Sequence, residues 1–257
     1  MLKVATWNVN SVNSRLERLL QFLKRESPDV LCLQELKCME EKFPFEPIRA
    51  AGYDVAVYGQ KTYNGVAILS KQPITQVQKG FGDGVDDPAA RFILGYCEKL
   101  WVASAYVPNG QTVGSAAYEY KLKWYARLES LLKSRFTPGD SLLVAGDFNV
   151  APEDRDCHNP TEWEGAVLFS EPEKAALKSL CRFGLVDTFR LHHQDSGLYS
   201  WWDYRQLAFP FNKGLRIDFI LASSSLASVC NDASIDRDER KGEKPSDHAP
   251  CLATFRI

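Results

Sequence analysis

The chain has 257 residues, 45% hydrophobic and 25% charged, with a formal net charge of −2, which is ordinary for a globular protein with a large core. No apolar run approaches the roughly 18 residues of a membrane span, and the opening MLKVATWNVN lacks a basic segment followed by an apolar leader. Seven scattered cysteines without a CxxC pair argue against a disulfide framework or a zinc site, and predict reduced thiols in a cytoplasmic protein.

In chain order, LKVATWNV and DVLCLQE read as buried strands. Between them NSRLERLLQFLKRE places Leu16, Leu19, Leu20 and Leu23 at helical spacing, and Pro28 ends that helix. YDVAVYG, GVAILS, ITQVQKGF, RFILGYCE and LWVASAYVP follow at the spacing of antiparallel strands with short turns. A helix is predicted over Ala116 to Arg135, with Tyr118, Leu122, Tyr125, Leu128 and Leu132 on one side. Lys121, Lys123, Arg127 and Lys133 are expected elsewhere on it, in solvent. Then come the strand SLLVAGDFN, a helix over Glu171 to Phe183, and the strands GLRIDFILAS and CLATFRI. The absence of linkers and of low-complexity segments predicts one domain, residues 1–257. Its pattern suits two sheets face to face with helices outside.

Polar residues recur at the strand ends. Asn8 and Asn10 close the first strand, Glu35 the second, and Tyr106 sits in SAYVPNG. Asp147 and Asn149 end GDFN, Asp218 interrupts LRIDFIL, and Asp247 and His248 precede the last strand. Each alone has a structural explanation as a turn, a cap or a packed histidine. Asp218, between Ile217 and Phe219, needs a partner, because burying a lone carboxylate is costly. His248 is a candidate, since a buried Asp can hold an imidazole in one tautomer. Glu35, Asp247 and an Asn carbonyl form an all-oxygen set that suits Mg²⁺ or Mn²⁺ rather than zinc.

Together, WNVNS, PDVLCLQELK, GYDVAVYGQKTYNGVAILSK, YVPNG, GDFNVAP, GLVDTFR, YSWWDYR, GLRIDFILAS and EKPSDHAPCLATF cover nearly the whole chain. In this order they resemble the exonuclease III family of abasic-site endonucleases, within the endonuclease/exonuclease/phosphatase superfamily. GDFN and SDH resemble motifs found throughout that superfamily, phosphoinositide phosphatases and sphingomyelinases included. LQELK, GLRIDFILAS and SDHAP with SWWDYR resemble the DNA-repair branch in particular.

The resemblance implies an α/β fold: a four-layer sandwich of two mainly antiparallel sheets face to face, with helices outside. It implies that Glu35 binds a catalytic Mg²⁺ (Mn²⁺ substituting), with Asn8 and Asp247 in or near its coordination shell. Asp147 would activate the attacking water, and Asn149 would bond the scissile phosphate or orient Asp147. His248, held by Asp218, would donate to a phosphoryl oxygen, and Tyr106 would contact the phosphate. A second metal ion would use Asp147 and Asn149. Trp201, Leu215 and Ile217 would line a pocket for an extruded, base-less sugar, with Trp202 in the core. Lys61, Asn64, Arg91, Asn109 and Lys121 are candidate phosphate contacts. Leu168 stands where several relatives carry a small residue near the pocket, which would favour DNA ends over internal abasic sites.

The expected substrate is double-stranded DNA with abasic sites or blocked 3′ ends, cut by a monomer away from any membrane. Two other readings remain: another phosphoesterase of the superfamily, and an inactive relative that binds nucleic acid as a regulator. The first is opposed by SWWDYR, the second by the presence of Glu35, Asp147, Asn149, Asp218, Asp247 and His248.

Overall fold

Burial along the first strand dictates the architecture. In β1 (Leu2–Asn8), Val4 joins one apolar cluster and its neighbour Ala5 another, because successive strand side chains point to opposite faces. A strand buried on both faces must be sandwiched between layers. The computed structural model, which describes residues 1–257, places it in one of two six-stranded sheets.

The first sheet joins β1 to β2 (Val30–Gln34), β3 (Asp54–Tyr58), β4 (Val66–Ser70), β11 (Cys230–Ile235) and β12 (Cys251–Phe255), in the order β11-β12-β1-β2-β4-β3. The second contains β5 (Thr75–Lys79), β6 (Phe92–Cys97), β7 (Leu100–Tyr106), β8 (Leu142–Asp147), β9 (Leu185–Asp187) and β10 (Asp218–Ser223), in the order β5-β6-β7-β8-β10-β9. Each sheet has one parallel pair, β1 with β2 and β7 with β8; the other pairs are antiparallel. Parallel neighbours need a crossover. Helix α1 (Leu16–Glu26) supplies it in the first sheet; α2 (Phe45–Ala50) follows β2, and α3 (Ala116–Arg135) is the crossover in the second.

Val4, Val30 and Ile68 meet Ile93, Val102, Leu143 and Ile220 between the sheets. Outside the first sheet, Trp7, Leu31 and Leu33 pack on Leu19, Phe22 and Leu23 of α1. After α4 (Pro160–Trp163), helix α5 (Glu171–Phe183) lies beside α3. Trp124, Tyr125, Leu128 and Leu132 of α3, with Leu177 and Leu180 of α5, cover Leu142, Val144 and Phe219 of the second sheet. Two short helices, α6 (Thr188–His192) and α7 (Ser224–Ala227), complete the set. The four expected layers, helix, sheet, sheet and helix, are all present.

Both long helices over Ala116–Arg135 and Glu171–Phe183 begin where serine caps them. Ser115 Oγ accepts from Tyr118 N, and Ser170 with Glu173 forms a capping box. The strand expected over GLRIDFILAS enters the sheet only at Asp218; Leu215 instead makes isolated bridges to Trp201 and Cys157. Strands β9 and β11 were not expected, because LVD is short and CNDASI too polar for an alternation signal, and both lie at sheet edges. All seven cysteines are free, and no helix is long and apolar enough to cross a membrane.

Candidate active site

The sheet registers bring the polar strand ends to one rim. Tyr106 lies opposite Asp147 in the β7–β8 pair, and Asp147 opposite Asp218 in β8–β10. Asn8 lies opposite Gln34, next to Glu35. Gly146 makes the approach feasible, since a Cβ there would sit 1.8 Å from Ala105 O. Beyond the strands the backbone is forced into the left-handed region at Glu35 (φ 53°) and Asn149 (φ 50°), a strain typical of functional sites.

Asn8 joins the two sheets. Its Nδ2 donates to Glu35 Oε1 at 2.9 Å and to Asp147 Oδ2 at 3.0 Å. Tyr106 OH donates to the same Glu35 Oε1 at 2.9 Å, and Lys37 Nζ lies 2.8 Å from Glu35 Oε2. Burial pushes the Glu35 carboxyl up, but the Lys37 charge and the Asn8 hydrogen bond outweigh it and hold the group below its ordinary value. Burial and then Glu35 raise the Tyr106 phenol well above its ordinary range.

His248 is fully enclosed between two aspartates. Its Nδ1 donates to Asp218 Oδ2 at 2.9 Å, and its Nε2 lies 3.7 Å from Asp147 Oδ2. Burial disfavours the imidazolium, yet Asp218 and then Asp147 overcome that and raise the pKa to about 10. Burial raises Asp147 above the carboxylate range, against the pull of His248. Ser200, missed in the sequence, locks the arrangement: its Oγ donates to Asp218 Oδ2 at 2.6 Å and accepts from Ile217 N and Asp218 N at 3.1 Å. A serine in YSWW gave no signal. Lys37, also missed, was legible in hindsight as the cation two residues beyond Glu35.

Asn149 is fixed at every polar atom. Its N–H donates to Asp147 Oδ1, its Nδ2 to Val107 O, and its Oδ1 accepts from Asn109 Nδ2 at 3.3 Å. Asp247 accepts from Asn10 Nδ2 at 2.9 Å and from the indole Nε1 of Trp201 at 3.1 Å. The group whose ligand atoms all lie within 4.8 Å of one another is Glu35, Asp147 and His248. Glu35, half-buried, and Asp147, buried, lie close together and make a donor set that fits a divalent cation.

Around this centre the substrate-side candidates divide. Trp201 is half-buried beside a cavity of about 450 Å³ shared with His158, Trp163 and Arg205. Trp202 is core, as expected. Leu215 and Ile217 are almost wholly buried, packed with Leu168, Ala151, Cys157 and Phe169. Lys61 and Asn109 are exposed, Asn64 and Arg91 half-buried, and the Arg91 guanidinium lies over the Tyr106 ring.

One expectation is overturned. Lys121, read as a solvated phosphate contact, has no exposed surface and pairs with Glu173. Its position between Tyr118 and Tyr125, three and four residues away, puts it on the buried face of α3.

The family model described as Endonuclease/Exonuclease/phosphatase family matches residues 5–248. Exodeoxyribonuclease III of Haemophilus influenzae is 37% identical over 99% of this chain and 100% of its own length. Two solved structures align over the whole of both chains. One is the Neisseria 3′ phosphatase NExo bound to product DNA hairpin (38% identity, TM-score 0.96); the other is an AP endonuclease of Archaeoglobus fulgidus (37%, 0.95). The chain belongs to the Endonuclease/Exonuclease/phosphatase family.

Proposed function

We propose that this chain, as a monomer and with Mg²⁺ as its metal, hydrolyses phosphodiester bonds of duplex DNA at 3′ ends and 5′ to abasic sites. It is an exodeoxyribonuclease III-type phosphodiesterase. The observation that carries the reading is His248 locked between Asp218 and Asp147, beside Glu35.

A phosphodiester is anionic and repels hydroxide, so the site must both activate water and neutralise charge. Asp147 takes the proton from the attacking water, general-base work for a carboxylate raised by burial. His248, kept as imidazolium by Asp218, donates from Nε2 to a non-bridging phosphoryl oxygen. Asn149 and Tyr106 flank the phosphate. Glu35, with Asn8 bonded to it and Asp247 farther out, would hold the Mg²⁺, which when bound would supply Lewis-acid stabilisation of the phosphoryl oxygens. Trp201, Leu215 and Ile217 form the apolar wall toward the sugar, and Lys61, Asn64, Arg91 and Asn109 approach the flanking phosphates.

A second reading, action confined to 3′ ends with weak internal incision, is favoured by Leu168. Its side chain belongs to the same apolar cluster as Leu215 and Ile217, where it would occupy space an extruded sugar needs. End-labelled duplex carrying one abasic analogue, incubated with Mg²⁺ or EDTA, tests both. Incision at the lesion supports the first reading and 3′ trimming alone the second; no metal-dependent cleavage of either kind rejects both.

A further inference from the structure

We infer that the buried pair Lys121–Glu173 is a positioning device, which sets Asn149 and the Leu168 segment in place against the scissile phosphate. The inference rests on the functional reading above, in which Asn149 faces that phosphate. All three ammonium donors of Lys121 are committed: to Asn109 O at 3.0 Å, to Asn149 O at 2.6 Å and to Glu173 Oε1. Glu173 Oε1 also accepts from Leu168 N at 3.1 Å, while Oε2 accepts from Ser170 N at 3.0 Å and from the Ser170 hydroxyl. Asn109 Nδ2 reaches back to Asn149 Oδ1. One ion pair therefore ties the loops after β7 and β8 to the segment entering α5.

The arrangement is costly as packing. Both side chains have no exposed surface, and two well-packed apolar residues would join α3 to α5 at least as well. What apolar residues cannot do is donate to two loop carbonyls and accept from two loop amides. Two of the held residues, Asn149 (φ 50°) and Leu168 (φ 74°), sit in left-handed backbone conformations that persist only where their surroundings fix them. The pair does for the loops what the sheet hydrogen bonds do for the strand ends.

The test compares Lys121→Met, Lys121→Met/Glu173→Met and Lys121→Gln/Glu173→Gln on duplex DNA with a 3′-phosphate. The single variant leaves Glu173 unpaired and lowers Tm. The Met/Met variant regains part of the Tm lost by the single variant, because no buried charge is left alone although the loop carbonyls and amides lose their partners. Its kcat stays about 10- to 100-fold below the parent, the usual result of a displaced site group. The Gln/Gln variant keeps two N–H donors for the loop carbonyls and one acceptor oxygen for the loop amides, losing the ion pair and part of the Ser170 contact. Its Tm lies above that of the single variant, and its kcat returns to within about threefold of the parent. The dependence of DNA affinity on salt stays parental throughout.

Parental kcat in the Met/Met variant would overturn the inference, reducing the pair to packing. So would a fall of about 0.9 in the log–log salt slope, the mark of a lost phosphate contact. If Met/Met does not fold, Gln/Gln decides alone: turnover within about threefold of the parent supports the inference, and a loss of about tenfold or more in the folded protein overturns it. A parent inactive on every DNA substrate would remove the functional reading and this inference together, whereas an active parent matched by Met/Met removes this inference only.

Discussion

His248 Nε2 stands 3.7 Å from Asp147 Oδ2. That gap is too long for a hydrogen bond and short enough for strong mutual influence between buried charges. The Nδ1 side of the ring is already bonded to Asp218, so the Nε2 proton is free for a substrate oxygen. Asp147 accepts from Asn8 Nδ2 and Asn149 N, which fix its direction. The proposed base, Asp147, and the proposed donor to the phosphate, His248, are thus oriented by different neighbours.

The base comes first. Asp147→Asn keeps shape and the acceptor for Asn8 but cannot take a proton. Turnover should fall by about 10²–10⁴-fold, the range for losing a general base, while the Kd for duplex DNA stays near the parent. Single-turnover cleavage and a binding titration on the same substrate check this; near-normal turnover would remove Asp147 from the role.

The proposed donor to the phosphate, His248, depends on its partner Asp218. Asp218→Asn removes the charge that, with Asp147, lifts His248 to about 10. The His248 pKa should then fall, seen by NMR titration of the imidazole, and turnover should drop on the order of 100-fold with the loss of a charged donor. Ser200→Ala should be milder in turnover and cost about 1–3 kcal/mol in stability, since it strips a bond from a buried carboxylate. An unmoved His248 pKa in Asp218→Asn would contradict the lock.

Stability without metal should depend on pH with a definite sign. Asp147 and His248 both have folded pKa values above their unfolded ones, about 3.8 and 6.5. The folded state therefore holds these protons more tightly, and the resulting stability is full below the unfolded values and lost as pH rises through the folded ones. Carboxylates with lowered values, such as Glu26 and Glu129, lose their contribution only in acid, below this window. In EDTA, Tm should fall from about pH 5 toward the His248 value of about 10. Excess Mg²⁺ or Mn²⁺ displaces the proton on Asp147, so the metal-induced gain in Tm should grow over the same range. Thermal scans across pH with and without metal decide it; a gain that is flat or shrinks with pH would place the ion elsewhere.

What the sequence disclosed follows the strength of each local signal. The helices over Ala116–Arg135 and Glu171–Phe183 were legible as helical patterns, and the structure adds the serine caps at their starts. The rim residues were legible because each interrupts or ends an apolar strand. Strands β9 and β11 were not, because edge strands are held by one neighbour and need no apolar face. Ser200 was silent because its partners, Asp218 and Ile217, are distant in sequence. Lys121 misled because charge at a helical position normally means solvent, and its carboxylate lies 52 residues away, on another helix.

Leu168 is where the two readings of substrate separate. The residue has φ 74°, a conformation glycine adopts without strain, and its side chain lies in the apolar cluster that contains Leu215 and Ile217. Leu168→Gly therefore removes the filling atoms without opposing the backbone. The cavity should cost about 2–5 kcal/mol, as for buried leucine truncations, offset in part by relief of backbone strain. Cleared of those atoms, the wall formed by Trp201, Leu215 and Ile217 can admit a sugar that has lost its base. The ratio of incision at an internal abasic analogue to trimming at 3′ ends should rise about tenfold or more, as for other changes in the fit of an apolar pocket. Both rates are read from one end-labelled duplex, at a temperature well below the variant's Tm. A folded Leu168→Gly protein with the parental ratio would show that another residue sets the choice between ends and internal sites.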